Sequence, residues 1–139
     1  MPRQLIAAVV CLIAVALPCA PSSAADGDAA FAVSIESPTV KVGQTAVIVA
    51  TISARNGYRI TESYRHRIVN LSATDDGVEV TRKVVRGAVK DGRVVFRVEV
   101  RPKTAGPHAI VGVLRFSINN GEQLDIKAAP FEATVMGTE

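Results

Sequence analysis

Few side chains in this sequence have the chemistry of a nucleophile, a base or a metal ligand. The strongest by type and clustering are Cys11, Cys19, His66, His108 and the acidic group Asp75, Asp76 and Glu79. Both cysteines fall in a start that reads as a secretory leader, with Arg3, an apolar run over residues 5–17 and then Ser22-Ser23-Ala24-Ala25. As a helix that run is about 20 Å long, too short to cross a bilayer comfortably. Cleavage after Ala24 or Ala25 suits the small residues wanted at −3 and −1. A lipid anchor on Cys19 wants a small residue just before it, and Pro18 stands there instead. The exported domain, residues 26–139, then carries no thiol, no disulfide and no cysteine-bound metal. With two separated histidines and Met136 as its one methionine, it has too few soft or imidazole ligands for a metal. No cofactor is expected.

The remaining candidates read mostly as structure. His108 follows Gly106-Pro107 at the start of a strand and reads as a turn or edge residue. His66 sits in Tyr64-Arg65-His66-Arg67, where flanking cations lower its affinity for a proton. It reads as a solvated histidine at a strand start, with a ligand contact as the alternative. Asp75-Asp76-Gly77 reads as a turn, because calcium wants more oxygen donors than this stretch holds. Asn70-Leu71-Ser72 matches a glycosylation sequon but lies within a strand. A hydrolase would need a nucleophile beside a base and an orienting group, and no such set is visible.

The elements that must position these residues are strands. Beyond the leader the hydrophobic period is two. Phe31, Val33 and Ile35 alternate with polar or small residues until Pro38, which is acceptable only at a sheet edge. Residues 45–54 are β-branched and apolar on both faces, as in a central strand. Residues 68–73 form another strand, and 78–80 and 84–85 form short edge pieces where Arg82 and Lys83 discourage pairing with other chains. Asp91-Gly92 is a two-residue hairpin signal leading into Val94, Phe96, Val98 and Val100 on one face. Ile110, Leu114, Phe116 and Ile118 share a face around Gly112. After the turn at Asn120-Gly121, Leu124 and Ile126, then Phe131, Ala133 and Val135, close the domain. About seven or eight strands with frequent turns predict an all-β, antiparallel, immunoglobulin-like β-sandwich as a single domain. The formal charge of the whole chain is only +3, one of which belongs to the leader, so neither nucleic acid nor a membrane surface is an expected partner.

The most unusual segment is 56–67, a polar connection holding both tyrosines and several arginines between two strands. Recognition surfaces favour tyrosine and arginine on such loops. The alternative is a crossover whose tyrosines pack on the sandwich edge.

The run Gly106-Pro-His-Ala-Ile-Val-Gly112-Val-Leu114-Arg-Phe116, followed by Ala129-Pro130-Phe131-Glu132-Ala-Thr-Val135, resembles the end of the N-terminal domain of DsbD-type thiol:disulfide interchange proteins. Lys41-Val-Gly43-Gln and Asn56-Gly57-Tyr58-Arg59-Ile60 resemble that domain's second strand and the loop after it. The resemblance implies a periplasmic immunoglobulin-like sandwich whose cysteine pair, on the final hairpin, passes reducing equivalents to exported proteins. That pair would fall near Asn119 and near Gln123 or Leu124, and none of these is a thiol. Thiol exchange needs a thiolate, so the activity is denied while scaffold and compartment are retained.

Three readings follow. The first is a non-enzymatic exported binding module, periplasmic or secreted. It engages another periplasmic protein through Tyr58, Arg59, Tyr64 and His66 together with Asn119, Asn120 and Gln123 on the hairpin. The second is a redox-associated accessory that docks a thioredoxin-like or cytochrome-maturation partner. The third is an enzyme with an unrecognised catalytic group.

Overall fold

A computed structural model describes residues 30–139. The expected leader, with Cys11 and Cys19, lies outside the described residues. The strands are β1 (Phe31–Glu36), β2 (Thr39–Lys41), β3 (Ala46–Ala54), β4 (Arg59–Ile60), β5 (Arg67–Ala73) and β6 (Val78–Val80). They continue as β7 (Val85–Arg86), β8 (Ala88–Lys90), β9 (Arg93–Pro102), β10 (Gly106–Asn119) and β11 (Leu124–Thr138). One sheet has the order β1-β3-β9-β6, with β8 also on β9; the other has the order β2-β11-β10-β5-β7, with β4 also on β10. Every pairing is antiparallel except that of β2 with β11.

The fold is the immunoglobulin-like β-sandwich that the alternation predicts. The described residues form eleven strands, more than the seven or eight expected, because single positions in the sheets are shared by short pieces. β6 and β8 take successive stretches of β9, and β4 and β5 take successive stretches of β10. β1 and β2 belong to one extended run that changes sheets at Ser37-Pro38, where the Pro38 carbonyl still accepts the Met136 N–H. The Val84-Val85 strand is corrected to Val85–Arg86, leaving Val84 half exposed.

The core lies between the two sheets. Val94, Phe96, Val98 and Val100 of β9 face Ile110, Leu114, Phe116 and Ile118 of β10, all fully buried. β3 runs between β1 and β9, as its apolar character requires, and gives Ile48 and Ile52 to the core. Phe31 meets the Phe116 ring edge-on, 4.8 Å between centroids. At the β8–β9 hairpin, Asp91 and Gly92 both take positive φ (52° and 74°), the type I′ turn whose twist matches its strands.

The closing strand departs from expectation. β11 is one unbroken strand of 15 residues, paired with β10 without a register shift. Ile126 and Phe131 are separated by an odd interval, so they cannot share a face. Phe131, Ala133 and Val135 enter the core, while Leu124 and Ile126 turn outward, 55% and 64% exposed. Asp125 and Lys127 take the inward positions opposite Ile118 and Phe116. Between Leu124 and Ala133 the side of β11 away from β10 has no strand neighbour among the described residues. Pro130 is in phase with Thr134 and Met136, whose N–H groups point to that outer side. Its missing N–H therefore costs no bond to β10, and it blunts the open edge together with the inward charges.

Candidate functional site

The 56–67 loop and the β10–β11 hairpin meet at one end of the second sheet. Arg55-Asn56-Gly57-Tyr58 turns the chain out of β3, with positive φ at Asn56 and Gly57 (56° and 83°) and the Tyr58 N–H donating to the Arg55 carbonyl. β4 then pairs Arg59 with Asn119 and Ile60 with Ile118. The chain leaves the sheet at Thr61 and rejoins it at Arg67, opposite Arg115.

His66 fills the gap so created. Its Nε2–H donates to the Thr61 carbonyl at 2.8 Å, and its Nδ1 accepts the Ser117 backbone N–H at 3.4 Å. The imidazole thus stands in for a missing strand neighbour of β10 and must be neutral, with its proton on Nε2. Thr61 is the hub of the junction. Its N–H donates to the Ser117 carbonyl, and its Oγ1 accepts from Ser117 Oγ (3.0 Å) and Asn119 Nδ2 (3.1 Å). Thr61, His66 and Ser117 are all buried.

The reading of His66 as a solvated residue or ligand contact is therefore corrected: it is 2% exposed. Burial, rather than the flanking cations, holds its pKa below the ordinary 6.5, with the bond to Thr61 working in the opposite direction. Tyr58 packs against the core and Tyr64 sets its ring edge against His66, 5.3 Å between centroids. Both rings remain partly accessible, and Arg59 is exposed beside Asn119 and Leu124 on the outer face. Asn120 shapes the turn: its Oδ1 accepts from the Glu122 and Gln123 N–H groups at 3.0 and 2.7 Å. Asn119 Oδ1 accepts the Gly121 N–H, and Gln123 is exposed. The structure thus brings all the expected residues to one end but divides them. Tyr58, Arg59, Tyr64 and Gln123 offer surface; His66, Asn119 and Asn120 hold that surface in place. Thr61 and Ser117, which sequence reasoning missed, are the joint.

His108 is also corrected, from a turn or edge residue to a buried one. Its Nδ1 faces both carboxylate oxygens of Asp75 (3.0 and 3.1 Å) and its Nε2 faces the Thr104 carbonyl at 2.8 Å. Asp75 does form the expected turn, accepting the Gly77 N–H. Two acceptors facing the two ring nitrogens favour the imidazolium, with the Thr104 hydroxyl a longer neighbour of Nε2 at 3.3 Å. The Thr104 carbonyl, first, and the Asp75 carboxylate raise its pKa. A Cβ on Gly77 would run into the His108 ring, so the turn must be glycine for packing rather than for φ. Neither histidine keeps a free ring nitrogen for base or ligand chemistry.

The two histidines give stability opposite pH slopes. His66, with its folded pKa lowered, contributes fully above 6.5, and that contribution is lost as pH falls through the lowered value. His108, with its folded pKa raised, contributes fully below 6.5 and loses its contribution as pH rises through the raised value. The melting temperature should therefore peak near pH 6.5 in a series from about pH 5 to about pH 9. His66→Gln should flatten the acid limb alone and His108→Gln the alkaline limb alone. A profile unaffected by either change would contradict the assignment.

No protein-family model matches the chain, and no curated protein matches it in sequence. Among solved structures it is similar to a type I cohesin of Pseudobacteroides cellulosolvens, with TM-score 0.51 and 11% identity, over 78% of this chain and 92% of that one. Lower similarity extends to a PapD-like domain of human CEP192, with TM-score 0.42, 10% identity and 99% of each chain covered. The AggA subunit of Escherichia coli aggregative adherence fimbriae also matches, with TM-score 0.41, 10% identity, and 78% and 94% covered. The cohesin match supports the sandwich fold and nothing finer.

Proposed function

We propose that this chain is a non-enzymatic, exported binding module that contacts another protein through the loop–hairpin end of its second sheet. The observation that carries this reading is the clamp at Thr61. It fixes two segments more than fifty residues apart as one rigid platform, beside an open strand edge that presents Leu124 and Ile126. Fixing a loop before contact lowers the entropy lost on binding. Partly accessible tyrosines, an arginine and two exposed aliphatic side chains form the composition that protein interfaces favour at their centres. A scaffold like the DsbD N-terminal domain fits the same reading, with a plain Asn-Gly turn where the resemblance puts the cysteine pair. Export to the periplasm fits the leader.

The double substitution Tyr58→Ala, Tyr64→Ala should weaken capture of the partner from a periplasmic extract by about tenfold or more, because aromatic anchors dominate interface energies. An unchanged set of partners at unchanged yield would place the contact elsewhere.

A further inference from the structure

The first sheet has a break that the loop–hairpin platform does not use. β9 is paired by β8 at Val95 and by β6 at Val100, and between these points its outer side has no strand partner among the described residues. Here the chain leaves the first sheet to place β7 on β5 in the second, then returns as β8. A cleft of about 700 Å³ lies at the break. Its lining includes Arg82, Arg86, Arg97, Glu99, Val47 and Val84.

Three features of this cleft point the same way. The first is backbone. The Glu99 carbonyl takes the Thr81 N–H on this side of β9. Arg97, two residues earlier and in phase with Glu99, turns its own N–H and C=O the same way, into the cleft. The second is charge. Three guanidinium groups and one carboxylate converge, yet the ion pairs among the described residues are Arg101–Glu79 and His108–Asp75, which include none of them. The third is apolar exposure. Val84 is 50% exposed and Val47 39%, both on the cleft wall.

We propose that this cleft is a docking site for an extended acidic peptide segment of a partner protein, added as a short strand at the break in β9. Strand addition supplies main-chain bonds from the peptide to Arg97, and its alternating side chains supply specificity. Carboxylates on one phase meet Arg82 and Arg86 in charge-assisted, bidentate geometry. Apolar residues on the other phase cover Val47 and Val84. Glu99 lies opposite Val47 in the ladder and disfavours a peptide that is acidic at every position, so the favoured occupant alternates acidic and apolar residues. The open stretch, residues 96–98, is about 10 Å long, with Arg97 as the residue whose N–H and C=O face outward, enough for about three residues of an added strand. None of the platform residues takes part, so this site stands or falls independently of the function proposed above.

A fluorescent hexapeptide of alternating glutamate and valine, blocked at both ends, tests the site. Its binding should fall steeply with salt, and backbone amide shifts should cluster at Arg97, Val98 and Glu99. R82Q/R86Q should weaken binding about tenfold or more, as should Val84→Asp, which keeps every cation and places a carboxylate on an exposed wall position. R93Q/R115Q, with the same loss of charge at positions outside the cleft, should change it by less than about twofold. Equal losses in R93Q/R115Q, amide shifts that avoid residues 97–99, or displacement of the peptide by inorganic phosphate at matched ionic strength would each overturn the proposal.

Discussion

Replacing His66 with alanine is expected to lower the free energy of unfolding by about 3–5 kcal/mol, a large part of the stability of a domain this size. The imidazole satisfies two backbone groups at once, the Ser117 N–H and the Thr61 carbonyl, in a place strands do not reach. The Thr61 carbonyl keeps the Tyr64 N–H as a second, longer partner at 3.3 Å, whereas the Ser117 N–H has only the histidine. An orphaned buried donor costs about 1–3 kcal/mol, and the cavity left by the ring adds to that. Glutamine places an amide nitrogen where Nε2 was and keeps the bond to Thr61, so His66→Gln should recover about half of the loss. Urea unfolding measures both. Hydrogen exchange at the Ser117 amide should accelerate in both variants, because glutamine offers no acceptor at the Nδ1 position. A solvated, merely local histidine would give losses within about 0.5 kcal/mol and no change in exchange at Ser117.

Phe116→Ala should cost about 3–5 kcal/mol for a different reason. The ring is fully buried, packs edge-on against Phe31, and precedes the Ser117 joint on the same strand. Its loss opens a cavity that a close-packed sandwich fills poorly. Urea unfolding again provides the measure, and the pH profile separates the two variants. Phe116→Ala should lower the whole curve of stability against pH and keep its acid limb. His66→Ala should remove that limb. If Phe116→Ala erased the limb as well, the limb would report general loosening of the core rather than the titration of His66.

Much of the sandwich is legible in the sequence because its determinants are local. The alternation of β9 and the Asp91-Gly92 turn follow from pleat geometry and from the residues that tolerate positive φ. The inward face of β10 follows too, with Gly112 read correctly within it. What escapes is set by distant partners. His66 gains its meaning from Ser117, fifty-one residues away, and Asp75 from His108, thirty-three away. No spacing rule on a single segment connects either pair. Leu124 and Ile126 are a different case, since their odd offset from Phe131 was present in the sequence. At the candidate site, the joining of the 56–67 loop with the hairpin was anticipated. The division of labour within it was not, because burial sets His66 apart from Tyr58, Tyr64 and Gln123, and Asn120, itself exposed, is set apart by its bonds to the turn backbone.

That division has a functional consequence. A surface residue at this end can be changed at little cost to stability, whereas changes at the buried Thr61, His66 and Ser117 carry a large one. Contact and scaffold can therefore be tested separately, and the contact can be tested with the clamp intact. Photo-cross-linking in intact cells does this most directly, with a benzoyl-phenylalanine at exposed Gln123 and, as the comparison, at exposed Arg93 on the first sheet. The proposed function predicts a discrete cross-linked protein partner from position 123 and none of that mass from position 93. The same partner from both positions, or no partner from 123 while the protein is folded and exported, would contradict a contact surface at the loop–hairpin end.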